Sequence, residues 1–322
     1  MSSKIVSMNN GIACKICGNI ENNRIHLAKE RLLNLQDEFQ YLECANCYCL
    51  QIVETPENLS KYYPGEYYSF RQPKFGLKLN PIVYFLKKSL LRHYLHKFDP
   101  VGALISLVLP HPFPWMAKGL LNFQSSVLDV GCGSGRVILS MQRSGFQNLT
   151  GIDPFLEKDL QDTGNLKILK RDLFEMTGQY DFVMLHHAFE HMDHPDKVLG
   201  KINELLKPGG KLLIRIPVAN SHAWRKYRTH WFALDAPRHL FLHTTHSVQL
   251  LAKQAGLKID GITYDSSFVQ FASSEKYLRD IPYSDDFSMF SKKQMKDFSR
   301  EAARLNSIGD GDCACFYLSR IL

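Results

Sequence analysis

The sequence predicts an α/β protein built on a doubly wound, mostly parallel sheet. Two observations carry this. An apolar segment, Val127 to Val130, runs straight into three closely spaced glycines at 131, 133 and 135, and more short apolar runs follow it at regular distances, several ending in an aspartate. Val127–Val130 reads as a buried strand, the glycines as a tight turn, and Arg136 onward as a helix. Asn148–Asp153 is the second strand, with an acid at its carboxyl end. The third, Leu166 to Leu173, contains Asp172 near its end. The fourth, Tyr180–Leu185, runs into His186-His187-Ala188-Phe189-Glu190-His191. A turn at Pro208-Gly209-Gly210 precedes the fifth, Lys211–Pro217. Five strands alternating with helical connections give a parallel sheet wound on both faces.

At 322 residues the chain exceeds the usual single-domain size, so one main core with smaller units is expected. The sequence divides into a cysteine unit (1–55), a basic helical linker or lid (56–122), the nucleotide-type core (123–220) and an acceptor-side segment with C-terminal strands (221–322). No uninterrupted apolar run reaches the roughly 18 residues needed to cross a bilayer; the most apolar, Val101 to Leu109, is closed by Pro110. The polar start MSSKIVSMNN carries no apolar signal region, so a cytoplasmic location is expected.

Four of the eight cysteines form two pairs, Cys14-x-x-Cys17 and Cys44-x-x-Cys47. In a reducing compartment such pairs read as metal ligands, because each turn supplies two thiolates to one tetrahedral zinc ion. Twenty-six residues separate the pairs, which implies a ribbon with an extended hairpin. Reduced, unliganded thiols and a redox pair are the alternatives. Cys49 is a weaker ligand candidate; Cys132, Cys313 and Cys315 have no such spacing.

The net charge of +7 is concentrated between Tyr67 and Leu128, where Asp99 is the only acid against Arg71, Lys74, Lys78, Lys87, Lys88, Arg92, Lys97 and Lys118. Asn80-Pro81 is a helix start, and Val83, Leu86, Leu90, Tyr94 and Leu95 recur behind it at helical spacing. The helix is a lid packed on the core, or it meets an anionic membrane or a phosphorylated substrate.

A strand, a glycine turn and a helix N-terminus let a ligand approach the backbone and meet its amide N–H groups. The turn is GxGxG, with Arg136 where a dinucleotide fingerprint places its third glycine, which weakens a nicotinamide or flavin reading. Asp129 before the turn would repel a pyrophosphate but suits the ammonium of a methionine moiety. Asp153 suits ribose hydroxyls, and Asp172 an adenine amino group.

In order and spacing, VLDVGCGSG, GIDP, KRDLF, YDFVMLHHAFEHMDHP and LLKPGGKLLIRIP resemble the successive motifs of class I S-adenosylmethionine (SAM)-dependent methyltransferases. The C-terminal Gly309–Arg320 segment resembles the last, antiparallel strand of that Rossmann-like, seven-stranded fold. The two cysteine pairs, the YYPGEYYSF segment and Trp231…Asp235-Ala-Pro-Arg-His239 further resemble a bacterial subfamily found with surface-polysaccharide biosynthesis. The resemblance implies SAM as cofactor, with Gly131, Gly133 and Gly135 lining its methionine part, Asp129 near its amino group, Asp153 on the ribose, Asp172 and Leu173 at the adenine, and His186 beside the methionine end.

Methyl transfer to a hydroxyl or carbon acid also needs a base, for which His187, Glu190, His191 and His239 are candidates. His187-x-x-Glu190-His191 occupies the positions of a Glu-x-x-Glu-His metal cluster that ubiquinone-biosynthesis O-methyltransferases share, with His in place of the first Glu. Between His222 and Thr245, Trp231 and Arg238 are candidates for binding a sugar ring and a phosphate; alternatively these aromatics close a core. A small polar acceptor, a nucleotide-linked sugar or another glycan precursor, is therefore expected. RNA is the rival acceptor suggested by the basic balance, although no known RNA-module pattern is visible.

Overall fold

The computed structural model describes residues 5–8, 11–63, 80–95, 98–116, 121–163 and 165–321. The aromatic segment beyond Tyr63, and Arg71, Lys74, Lys78, Lys97 and Lys118, lie outside the described residues. Strands β1 (Ile5–Met8), β2 (Arg24–Lys29), β3 (Glu38–Glu43) and β4 (Leu50–Ile52) come first, then helices α1 (Pro81–Tyr94) and α2 (Pro100–Ser106). The central alternation is β5 (Ser126–Val130), α3 (Arg136–Arg143), β6 (Asn148–Ile152), β7 (Gln161–Thr163), β8 (Leu166–Leu169), β9 (Tyr180–His186), α4 (Pro195–Leu205) and β10 (Leu206–Pro217). Then follow α5 (His222–Tyr227), β11 (Phe241–Leu242), α6 (Thr245–Gln254), β12 (Leu257–Tyr264), α7 (Val269–Tyr277), α8 (Lys292–Ser307) and β13 (Cys313–Arg320).

The larger sheet has the strand order β12-β13-β10-β9-β5-β6-β8-β7. Central β5 pairs in parallel with β6 and β9, and β6 with β8. Covered on both sides, β5 is a continuous apolar run whose Val127 and Leu128 are fully buried. Seven of these strands are the expected sheet. The eighth, β7, is a three-residue edge strand antiparallel to β8, and its sequence Gln-Asp-Thr carries no apolar alternation to announce it. Strand β10 begins at Leu206, five residues ahead of expectation and directly off α4; Gly209, at φ +78°, keeps the expected bend inside the strand. The last strand begins at Cys313, because Gly309, at φ +74°, follows the end of α8.

The chain forms two compact units. One comprises Met1–Pro64, Phe189–Leu199 and Arg215–Phe316; the other comprises Gly65–Ala188, Gly200–Ile214 and Tyr317–Leu322. In the first, a five-stranded sheet has the order β1-β2-β3-β4-β11, and its pairings are antiparallel. Its edge strand β11 comes from the C-terminal half, with Phe241 opposite Gln51 and Leu242 opposite Leu50. The cysteine segment is thus built into a unit with the acceptor-side segment: Tyr41 Oη donates to the His239 carbonyl (2.8 Å), and Thr244 Oγ1 to that of Cys47 (2.7 Å).

In the second unit, α1 starts as expected, with the Asn80 side chain accepting from Ile82 N and Pro81 at the first helical position. Its apolar stripe is used only in part. Leu90, Leu91 and Leu95 are buried, whereas Val83 and Leu86 are exposed. Helix α2 crosses α1 at Gly102, where a β-carbon would strike the Ser89 carbonyl oxygen. Among the described residues no helix is long and apolar enough to cross a membrane.

Candidate active site

The glycine turn follows β5 and folds back on β6, with Gly131 N and Cys132 N both donating to the Ile152 carbonyl (2.9 and 3.0 Å). Gly131, Gly133 and Gly135 all take positive φ, at 72°, 51° and 80°. Two also lack room for a side chain: a β-carbon at Gly131 would lie 2.5 Å from that of Ala188, and one at Gly135 would strike Ile168 Cδ1. Glycine is therefore required here by conformation and by space. Gly133 N donates to Asp153 Oδ2 (2.9 Å) and Phe155 N to Asp153 Oδ1 (2.9 Å). The strand-end acid thus clasps the turn with both of its oxygens. Asp129 is buried, and burial first, then the neighbouring Asp153 charge, pushes its carboxyl up to about 8.

Asp172 is exposed and caps the turn Leu173–Glu175, accepting from Phe174 N (2.8 Å) while Glu175 Oε2 accepts from Asp172 N (3.0 Å); Leu173 is buried. His186 meets the ring of Trp115 edge-on at 4.5 Å, and Tyr317 Oη donates to the Trp115 carbonyl (2.8 Å). Nothing in His111-Pro-Phe-Pro-Trp115 marked this tryptophan beforehand. His187 is exposed and holds φ at +51°, a left-handed conformation that non-glycine residues adopt at a cost.

The remaining base candidates gather in the first unit. Glu190, His191 and His239 each place a ligand-type atom within 4.8 Å of the others. His191 Nδ1 lies 2.8 Å from the Arg238 carbonyl, and His239 Nδ1 lies 2.7 Å from that of Ala233. A carbonyl only accepts, so both Nδ1 atoms carry a proton, and in a neutral ring so held Nε2 presents the lone pair. His239 Nε2 stands 3.9 Å from Glu190 Oε1 and from Asp235 Oδ2, and burial holds its ring down at about 4. His187 is not in this group. His187 leaves the strand in an exposed turn, and it is His239, distant in sequence, that stands beside Glu190 and His191.

The four cysteines converge as expected. Cys14 and Cys47 sulfurs are 3.6 Å apart, those of Cys17 and Cys44 3.5 Å, and all four lie within 4.8 Å of one another. A disulfide needs about 2.05 Å, whereas tetrahedral thiolates at about 2.3 Å from zinc lie roughly 3.8 Å apart. The donor set fits zinc. Both knuckles repeat one geometry: Gly18 and Tyr48 each follow the second cysteine at positive φ and donate to the carbonyl of the first (2.9 and 3.0 Å). Cys49 lies outside the cluster, its thiol donating to the Leu50 carbonyl.

Comparison with known proteins gives a match to the methyltransferase domain family over residues 90–261, just over half of the chain. The chain belongs to the class I SAM-dependent methyltransferases. A ubiquinone biosynthesis O-methyltransferase of Erwinia tasmaniensis is 32% identical over 40% of this chain and 54% of its own length. A trans-aconitate 2-methyltransferase of Deinococcus radiodurans is 29% identical over 33% and 43%. The chain thus spans about half the length of the curated relatives it matches. A SAM-dependent methyltransferase structure from Mesorhizobium loti superposes over 63% of this chain and 94% of that one, with TM-score 0.42 and 15% identity.

Two residues of this methyltransferase were expected to meet an acceptor, and the structure corrects both. Trp231 is buried and its Nε1 donates to Asp312 Oδ2 (2.9 Å). Arg238 is fully buried: its guanidinium donates to Asp235 from Nε and Nη2, to Glu30 Oε1 (2.9 Å) and to the Tyr62 carbonyl (3.2 Å). The aromatic and guanidinium groups close a core, because acids from elsewhere in the fold already hold them. Arg238→Met leaves Asp235 and Glu30 uncompensated and should cost about 3–5 kcal/mol in urea denaturation; a loss under about 1 kcal/mol would contradict the buried pairing.

Asp129 supplies a test of sign. Its carboxyl is raised from 3.8 to about 8, so across that range the folded methyltransferase keeps a proton that the unfolded chain releases. The stabilisation is complete below about pH 4 and disappears as the pH climbs through 8. Asp129→Asn removes this titration, so without ligand the variant should gain stability relative to the native chain as pH rises from about 5 to 8. A pH-independent difference would rule out the raised pKa.

Proposed function

We propose that this methyltransferase moves the SAM methyl group to a hydroxyl or carbon acid of a small polar acceptor, a nucleotide-linked sugar or another surface-glycan precursor, with His191 taking the acceptor's proton. The observation that carries the reading is the pair of imidazoles whose Nδ1 protons are pinned on backbone carbonyls, which leaves Nε2 of the neutral ring as the proton acceptor, that of His239 3.9 Å from Glu190 Oε1. His191 takes this part because burial holds the His239 ring down at about 4, which makes His239 the weaker base. His239 and Glu190 position it and offset the charge it gains. The sugar-type acceptor rests on the likeness of the cysteine unit and the Asp235–His239 segment to the polysaccharide-associated subfamily. The curated relatives, also named for small molecules, agree with a small acceptor.

SAM fits the cradle that the three glycines leave open. Gly131, Gly133 and Gly135 would face its methionine part, Asp129 its ammonium, Asp153 its ribose, Asp172 and Leu173 its adenine, and His186 its methionine end. When bound it supplies a sulfonium leaving group, so the chain's task is to position the acceptor and remove a proton. A second reading has a specific observation behind it: Glu190, His191 and His239 could share a divalent cation. Exhaustive chelation that abolishes turnover, with recovery on adding magnesium or manganese, would favour it.

Calorimetry should show SAM binding, weakened by Asp153→Ala by about 1.5–3 kcal/mol; an unchanged dissociation constant would move the ribose contact elsewhere. With labelled SAM and a panel of nucleotide sugars, His191→Gln should lower kcat by about 10²–10⁴ with SAM affinity intact. Full turnover in that variant would remove His191 from the reaction.

Zinc at Cys14, Cys17, Cys44 and Cys47 would be structural, since four thiolates leave no open coordination position. Protein purified under reducing conditions should contain one zinc per chain, and Cys44→Ser should lose the metal and unfold the β2–β3–β4 region. A metal-free chain with that region protected from exchange would exclude the site.

A further inference from the structure

The second unit carries an apolar surface that methyl transfer does not use. More than half of the exposed large apolar side chains among the described residues fall between 82 and 109, in α1, in α2 and in the residues flanking α2. Phe98 is 96% exposed, Leu107 and Val108 80% each, Leu104 70% and Ile82 69%. Side chains of this kind scattered singly need no explanation, but a contiguous group marks a surface that something covers.

The two helices are joined as a built hairpin. Gly102 allows their backbones to touch at Ser89, the Tyr94 ring lies tilted against that of His111 with centroids 4.3 Å apart, and Tyr94 Oη donates to the Leu109 carbonyl (3.3 Å). At the start of α1, Pro81 brings no N–H and Asn80 accepts that of Ile82, so the helix end exposes fewer bare donors.

Charge selects the occupant. Lys87, Lys88 and Arg92 stand on α1 among the apolar groups; Asp99, the one acid from 67 to 128, caps α2 at Gly102 N and lies 4.0 Å from Arg92 Nη1, which leaves the lysines without an acid from this stretch. Lys88 sets its Nζ 5.6 Å from the ring centroids of Tyr84 and Phe123, a cation–π arrangement. A second copy of the chain meeting this face about a two-fold axis would bring both sets of bases together. An anionic bilayer surface has complementary charge, and an apolar depth of one helix radius to receive the side chains.

We propose that the α1–α2 hairpin seats this methyltransferase on anionic membranes, with Phe85, Leu104, Leu107 and Val108 in the headgroup–acyl boundary and Lys87 among the lipid phosphates. The test uses the full chain in flotation assays with vesicles of phosphatidylcholine alone or mixed with phosphatidylglycerol. The expected result is partition onto the mixed vesicles, weak binding to the neutral ones, and a several-fold loss when salt is raised. Leu107→Ser/Val108→Ser should weaken partition at least about tenfold, and Lys87→Glu at least about fivefold. These side chains are exposed, so melting temperature and SAM binding should stay as in the native chain, which separates failure here from failure of the catalytic reading. Equal binding to both vesicle types, no binding to either, or full binding by both variants would overturn the proposal. So would a concentration-dependent dimer that Leu107→Ser/Val108→Ser abolishes in protein that ignores vesicles.

Discussion

The buried guanidinium of Arg238 holds together the surroundings of the candidate base. Three parts of the first unit meet on it: Glu30 at the end of β2, the Tyr62 carbonyl, and Asp235, which is three residues earlier in its own segment. A charged group that is fully buried is tolerated only when its donors are met, so those three parts are held in one arrangement. The backbone of the same residue does a second job, because its carbonyl receives His191 Nδ1. One residue thus fixes the chain geometry with its side chain and a histidine tautomer with its main chain. An arginine that never touches substrate can matter to catalysis in this way.

The other unit faces the reverse problem, two carboxyl groups set close together below the surface. Asp129 and Asp153 lie close enough for the charge of one to raise the pKa of the other, and Asp153 has its charge steadied by two backbone N–H groups from the turn and from Phe155. Asp129 meets the cost of burial by keeping its proton. A positively charged ligand reverses that balance, because an ammonium beside Asp129 stabilises the carboxylate and drives the proton off. On the proposed reading the proton and the ammonium of SAM would be alternative occupants of one electrostatic slot, which would couple cofactor affinity to pH.

Much of this architecture was legible in the sequence because the signals were local. Glycines needed for positive φ, an apolar run closed by an acid, and cysteines with two residues between them each report a constraint satisfied within a few residues. β5, β6, β8 and β9 accordingly lie where the periodicity put them, and the four cysteines converge. What escaped was decided at long range. The five-stranded sheet takes β11 from beyond residue 240, and the cluster around Glu190 takes His239 in preference to His187. Trp115 carries no pattern at all.

Arg238 and Trp231 show why composition misleads at such a place. A segment rich in tryptophan, histidine and arginine has the same appearance whether it lines a ligand pocket or closes a core, since both settings ask for large flat surfaces with a few donors. The deciding variable is where the acceptors are. Glu30 lies 208 residues from Arg238, and Asp312 lies 81 from Trp231, so neither pairing could be read locally. The α1 helix presents the mirror image. Its spacing forecast a buried stripe, yet only the Leu90–Leu95 half found a partner, while the Ile82–Leu86 half stayed in solvent. Amphipathic spacing states that an apolar face must be covered, and leaves open whether the chain itself or another surface covers it.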